Sequence, residues 1–529
     1  MSTTVSASSP RELRRVAAAT VIGTTIEWYD FFLYASAAGL VFGQLFFAPA
    51  GPQAATIISF ATVGVSFLFR PLGAFLAGHF GDRIGRKAML VITLILMGVA
   101  TTLIGFLPTY DQVGILAPVL LMLLRVLQGL STGGEWGGAV LMAVEHAPDG
   151  QRGRMGAFPQ IGVPIGLLLA SGVLALMTGV ISPGEAFLEW GWRVPFLLSV
   201  VLIVVGIVVR RAVEESPVFT EIAERKEQTK VPVVELFKKH GMLVALAALT
   251  FAGNNAAGYM TTGGYIQNYA TTPIADGGLV GMERTPVLLA VAGASIVWLI
   301  CTFAAGVVSD RIGRKKTYII GWIAFLAVVF FLFPMVNTGN VWILFIGLSL
   351  FAIGNGFTYG QQAAYFAELF PASIRYSGVS ITYAIGAILG GAFAPMISAW
   401  LVAQTGTATT VAFYIAGVMV VAFIATLLLR DRTGIPLSPE HEELQQQRHF
   451  LWGDDANLAG FGLILGFISL PLTFILPWLG LFFGVLGLTI ALNSLLSRKA
   501  VAFSVLVTVF TGSLVLMGIL LTVARYALV

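Results

Sequence analysis

Apolar segments long enough to cross a bilayer recur along almost the whole chain. Twelve fall near residues 16–46, 54–79, 88–107, 113–143, 154–180, 189–211, 241–270, 286–308, 317–336, 341–366, 375–402 and 407–430, and three more near 458–475, 477–497 and 501–526. About 20 apolar residues in a helix span the hydrocarbon core, and lipid offers nothing to an unpaired backbone group. Segments of this kind therefore fold as transmembrane helices. Composition agrees: 57% of the 529 residues are hydrophobic and 11% charged, where a soluble domain carries roughly 25% charge. The expected fold is an all-α integral membrane protein with twelve helices and about three extra ones at the C-terminal end.

Loop charge sets the orientation. Arg11, Arg14 and Arg15 precede the first span, and Arg83, Arg86, Lys87, Arg152, Arg154, Arg311, Arg314, Lys315, Lys316, Arg375, Arg430 and Arg432 occupy every second loop thereafter. The intervening loops carry little beyond Arg193 and Arg284. Positive residues stay in the cytoplasm, so the N-terminus is expected there, in the plasma membrane of a bacterium. The arginines before the first apolar run give it the look of a signal peptide, but Glu27 and Asp30 interrupt the run and it continues past Ala35-Ser36-Ala37. A cleaved segment is shorter and uncharged, so this one reads as a retained span. The net charge of +4 is distributed over short loops and points to no nucleic-acid partner. The single cysteine, Cys301, and five scattered histidines leave no metal-ligating pattern. No cofactor is expected, and no nucleophile–base spacing suggests an enzyme.

A polar loop near 212–240 divides the twelve spans six and six. A repeat supports the division. Gly81-Asp82-Arg83-Ile84-Gly85-Arg86-Lys87 recurs as Ser309-Asp310-Arg311-Ile312-Gly313-Arg314-Lys315, each copy following the second span of its half. Parallel repeats with a solute bound at their interface are a transporter architecture. The expected units are 1–211 and 241–432 as six-helix bundles, 212–240 as a cytoplasmic linker, 433–457 as a polar linker and 458–529 as extra helices. Asp82 and Asp310 are placed to face helix N-termini and neighbouring arginines. With Arg83, Arg86, Glu145, Arg154, Arg311, Arg314, Glu368 and Arg375 they are expected to form a gating charge network, one part in each half. The extra helices carry no charge at depth, which suits packing, oligomerisation or lipid contact.

The two basic loops resemble the signature loop of the major facilitator superfamily. Glu27-Trp28-Tyr29-Asp30-Phe31-Phe32, Arg70-Pro71-Leu72-Gly73, Gly133-Gly134-Glu135-Trp136-Gly137-Gly138 and Trp190-Gly191-Trp192-Arg193-Val194-Pro195-Phe196 resemble its metabolite:proton symporter branch, which includes bacterial carriers for shikimate, 2-oxoglutarate, citrate and proline/betaine. The wording is most similar to the shikimate-type carriers. The resemblance covers about residues 12–432 and implies alternating access and proton-coupled uptake; the region beyond 432 departs from it.

The candidate site rests on charges at membrane depth, each of which costs several kcal/mol unless it faces a partner or water. Arg125, Gln128, Thr132 and Glu135 share a helix face by their spacing, as do Glu27 and Asp30. The glycines around them, Gly129, Gly133, Gly134, Gly137 and Gly138, allow a neighbouring helix to approach closely. Arg125 is the expected clamp for a carboxylate, because a guanidinium grips two oxygens at once. Glu135, Asp30 and Glu27 are expected proton carriers, with Arg70 as a counter-charge. Trp28, Tyr29, Gln128, Asn254, Asn255, Tyr259, Gln361 and Tyr383 complete the expected solute contacts. The function expected is proton-coupled symport of a small carboxylate, shikimate-like or another organic acid. The alternatives are uptake of a zwitterion such as proline or betaine, or a non-transporting sensor or scaffold built on the same fold.

Overall fold

The computed structural model of the chain describes residues 10–84, 86–133, 135–211, 232–262, 264–441 and 484–489. These form helices joined by short loops. Ten helices among the described residues are long and apolar enough to cross a membrane. Two further helices occupy the first and third expected positions. Pro10–Ala37 opens with charged residues, and Arg86–Gly105 has a shorter apolar stretch, Val91–Gly105. The extra spans expected at 458–475, 477–497 and 501–526 lie outside the described residues, except for 484–489. The seventh span begins earlier than its apolar run suggests. Helix Pro232–Thr262 starts inside the polar linker, and non-helical dihedrals at His240 mark the join.

Several spans are broken where glycine or polar residues interrupt the apolar run. Pro10–Ala37 passes into a π-helical turn at Ala38–Phe42. Leu116–Thr132 and Glu135–Glu145 share one span. Pro232–Thr262 and Tyr265–Thr271 meet at Gly264, whose φ of 110° is open to glycine and strained for other residues. Arg375–Ala387 continues through a second π turn, Ile388–Ala392. Broken helices free backbone groups, and membranes tolerate them only where protein or a cavity supplies partners. These breaks border the interior rather than the lipid.

Two packing arrangements position the site. Helix Arg152–Leu176 lies against both Pro10–Ala37 and Arg284–Ile312, so the two halves of the chain meet along it. Helix Pro52–Ile84 crosses Leu116–Thr132 backbone to backbone. A Cβ on Gly133 would fall on the Arg70 carbonyl oxygen, and one on Gly129 would fall on that of Ser66. The glycines in this stretch therefore serve the close approach that small residues permit between membrane helices.

Candidate functional site

The close crossing brings Arg125 against the neighbouring backbone. Its Nε and Nη2 donate to the carbonyls of Thr62 (3.3 Å) and Val63 (3.0 Å), and its Nη1 to Gln128 Oε1 (2.8 Å). The guanidinium lies 3.7 Å from the Tyr34 ring centroid, a cation–π distance. Gln128 then donates through Nε2 to the Thr101 hydroxyl at 2.7 Å. Thr101 donates its own proton to the Met97 carbonyl at 3.0 Å and lies close to Asp30, whose Oδ1 accepts from Ser199 at 2.7 Å. A buried hydrogen-bonded chain thus runs from Arg125 through Gln128 to Thr101, with Asp30 beside its end, on three spans of the N-terminal half.

Glu27 and Asp30 sit on one side of the first helix but meet different surroundings. Glu27 and Arg70 lie within electrostatic range of the Tyr359 hydroxyl in the other half. Arg70 stacks at 4.4 Å over Phe67 and 5.6 Å over Phe31, and its buried Nε makes no hydrogen bond. Phe31 separates the two arginines, with Arg125 at 5.9 Å. Glu135 is buried within electrostatic range of Asp30. All five charges are 3% exposed or less.

A small central cavity of about 20 Å³ separates the halves. Trp28, Phe32 and Val163 line it from the N-terminal half; Phe251, Asn254, Asn255, Gly258, Trp298 and Tyr359 line it from the C-terminal half. It has room for about one water, so the helices are closed on it. Toward the basic-loop end it is sealed by a stack: Trp136 on Tyr383 at 3.7 Å, and Tyr383 on Phe251 at 4.4 Å. Gln160 ties the seal across the halves, accepting from Trp136 Nε1 (3.1 Å) and donating to the Tyr359 carbonyl (3.0 Å). At the opposite end Asn268 donates to the Gly39 carbonyl at 2.6 Å, where the π turn of the first span meets the break at Gly264. Beyond that crossing opens a vestibule of about 470 Å³, bordered by Gln44, Gln53, Tyr265, Tyr269 and Arg284.

The basic-loop end carries an ionic seal across the halves. Asp310 accepts from the backbone N–H groups of Gly153 (2.7 Å) and Arg154 (2.8 Å), capping the N-terminus of the Arg152–Leu176 helix. Arg314 bridges Asp310 (2.7 Å) and Glu368 (3.2 Å), Arg152 approaches Glu368 at 3.6 Å, and Arg375 approaches Glu145 at 3.5 Å. Arg154 contributes its N–H while its side chain, like that of Arg311, is exposed. The side chains of Asp82, Arg83, Arg86 and Tyr259 lie outside the described residues.

The structure sorts the residues singled out in the sequence. Trp28, Asn254 and Asn255 line the cavity, and Tyr383 belongs to its seal. Arg125, Gln128 and Tyr29 are set back from it; the Tyr29 hydroxyl donates to the Pro195 carbonyl at 3.0 Å. Gln361, at the break between helices Val341–Tyr359 and Gln362–Leu369, donates to the Phe357 carbonyl of its own span at 2.7 Å. Sequence reasoning missed Trp298, Phe251, Gln160, Thr101 and Ser199, which sit singly in apolar runs with no motif to mark them.

The chain's relatives agree with this geometry. Residues 16–235 match a family model described as sugar (and other) transporter, and residues 265–528 one described as Major Facilitator Superfamily. An inner membrane metabolite transport protein of Escherichia coli, YhjE, is 41% identical over 424 residues, 79% of this chain and 94% of that one. The chain belongs to the major facilitator superfamily. It is a multi-pass membrane protein and a secondary transporter of a small metabolite, not an enzyme. The shikimate transporter of Escherichia coli is 38% identical over 426 residues, 79% of this chain and 94% of its own. A proline/betaine transporter of Salmonella typhimurium is 33% identical over 454 residues, 83% of this chain and 88% of its own. Among solved structures, the proton:xylose symporter XylE superposes with a TM-score of 0.63 at 19% identity, covering 82% of this chain and 99% of that one. That likeness establishes the fold.

Proposed function

We propose that the protein carries a small carboxylate metabolite into a bacterial cell together with a proton, by alternating access between two six-helix bundles. The observation that carries this reading is the burial of Asp30 beside the hydrogen-bonded chain Arg125–Gln128–Thr101. A carboxyl group buried beside neutral hydrogen-bonding groups can change charge during a cycle, while a guanidinium stays cationic throughout. A proton taken up by Asp30 removes a negative charge from beside that chain, so the positive field of Arg125 and Arg70 is left to favour an anion in the adjacent cavity. Loss of the proton restores the internal balance and favours release. Glu27 and Glu135 are the other carboxyl groups placed to share the proton. The N-terminus faces the cytoplasm, which makes the basic-loop end the inner gate and the vestibule the outer entrance. The ionic seal and the Trp136–Tyr383 stack then hold the inner gate closed in this state.

Both the shikimate and the proline/betaine transporters are similar to this chain, and buried charges confined to one side of the cavity favour the acid over the zwitterion. The test is uptake into proteoliposomes under an imposed pH gradient, with shikimate, 2-oxoglutarate, citrate, proline and glycine betaine offered separately. Accumulation of an acid that collapses on adding a protonophore is the expected result. Accumulation of betaine or proline alone would transfer the reading to zwitterion symport.

A further inference from the structure

We infer that Trp298 contacts the solute, its indole N–H acting with the Asn255 amide to hold the solute's carboxylate on the C-terminal side of the cavity. The inference rests on the carboxylate reading above and adds to it the place where the carboxylate sits. Trp298 belongs to helix Arg284–Ile312, is 4% exposed and lines the central cavity. An indole has a single polar atom, and that atom only donates. Buried tryptophans normally give that proton to an acceptor. Trp136 gives its own to Gln160, and Trp322 to Thr426. Trp298 Nε1 is buried and has no acceptor.

Asn255 repeats the pattern beside it. Asn254, its neighbour in sequence, spends its amide on Asn355 and Thr358. Asn255 Nδ2 is buried on the same cavity and donates to nothing. Trp192 Nε1 is also bare, but it lies outside the cavity among Phe42, Phe46 and Phe196. The distinguishing feature is that the bare donors of Trp298 and Asn255 converge on one cavity, where the Tyr359 hydroxyl is likewise without a partner. Groups that lack acceptors call for a ligand rich in acceptors, and a carboxylate supplies two oxygens. Both donors are neutral, so their grip does not depend on whether a nearby carboxyl group holds its proton. Trp28 and Phe32, the latter edge-on to Trp298 at 6.5 Å, offer an apolar wall to the carbon skeleton.

The experiment uses the full chain in proteoliposomes, with the five solutes named above and xylose as a solute lacking a carboxylate. Trp298→Phe keeps the ring and deletes the donor. Its KM for the transported acid should rise about tenfold, the loss of one hydrogen bond, with the maximal rate within about twofold of wild type. Asn255→Asp keeps the side-chain shape but presents acceptors, whereas Asn255→Leu only removes polarity. Asn255→Asp should be the poorer transporter, a ranking that simple packing would not produce, and this pair carries the test if Trp298→Phe proves unstable in detergent. An unchanged KM in Trp298→Phe together with equal loss in the two Asn255 variants overturns the inference while the carboxylate reading stands. Wild-type uptake of xylose and of no carboxylate overturns both.

Discussion

The two halves of this transporter face the same cavity with opposite chemistry. The N-terminal half buries Glu27, Asp30, Arg70, Arg125 and Glu135 behind the cavity's apolar wall of Trp28, Phe32 and Val163. The C-terminal half brings Asn254, Asn255, Trp298 and Tyr359 to its wall and keeps its buried charges, Arg314, Glu368 and Arg375, at the basic-loop end. Charges at depth are expensive and change strongly with protonation; neutral hydrogen-bonding groups are cheaper and do not. In the proposed cycle, concentrating the first kind in one half would let a proton alter the field without disturbing the neutral groups around the cavity. The comparison therefore separates energy coupling from selection, and each can be attacked alone.

The largest expected effects lie in the charged half. Asp30→Asn should abolish proton-driven accumulation, by about 100-fold or more, while exchange of labelled for unlabelled solute persists. General acid–base groups contribute about that much where a proton must move, and equal loss of both activities would make Asp30 merely structural. Arg125→Ala should stop uptake altogether. Arg125→Lys should not restore it, because a lysine ammonium cannot reproduce the planar fork that reaches Thr62, Val63 and Gln128 together. A lysine variant with normal uptake would show that only the charge matters. At the neutral contacts between the halves the effects are milder. Gln160→Leu deletes both bonds that tie Trp136 to Tyr359, and should change the uptake rate by about three- to tenfold, as two modest hydrogen bonds imply.

The charged half was the more legible one in the sequence. An arginine or glutamate in a membrane span stands out because its cost demands a reason, and the doubled Asp-Arg-Ile-Gly-Arg-Lys loop announced the two halves before any coordinates. Asp310 behaves as that loop suggested, capping a helix N-terminus of the opposite half. What the sequence could not show is direction. Arg125 was readable as a solute clamp because spacing fixes a helix face but not what the face meets; here it meets the carbonyls of a neighbour brought close by Gly129 and Gly133. Tyr29 illustrates the same gap, sharing a short run with Trp28 yet bonding to Pro195. Trp298 was illegible for a different reason, since an aromatic in an apolar span costs nothing and so signals nothing. The role proposed for it rests on a missing acceptor, which only packing reveals.

The ionic seal offers a finer test of the division, because it joins the halves without touching the cavity. Glu145→Gln weakens the contact to Arg375 and should shift the balance toward the inward-open state by on the order of 1–3 kcal/mol, the usual range of such couplings. Labelling of a cysteine at Ser380 reads this out, with Cys301, the one native cysteine, replaced by serine. Ser380 lies under the Trp136–Tyr383 stack against Gly137, so faster labelling reports a looser inner gate. An unchanged rate would leave Asp310 and Glu368 as the holding contacts.

The smallest effect is expected from the C-terminal extension, and its position sharpens the comparison further. Just after the last described long helix, Thr433 Oγ1 accepts from the Arg314 N–H (3.0 Å), Gly434 N–H donates to Glu368 (3.4 Å), and Arg152 donates to the Ile435 carbonyl (2.5 Å). Arg152 comes from the N-terminal half and the other two from the C-terminal half, so this short segment lies across the same seam as the ion pairs. Truncation after His441 keeps those contacts together with the ionic seal and the cavity lining, and should leave uptake within about twofold of wild type. Truncation before Thr433 removes them, strips a partner from the buried Glu368 and the half-buried Arg152, and should accelerate labelling at Ser380 as Glu145→Gln does. Equal behaviour of the two truncations would place the regulatory weight in residues 442–529 and not at the seam.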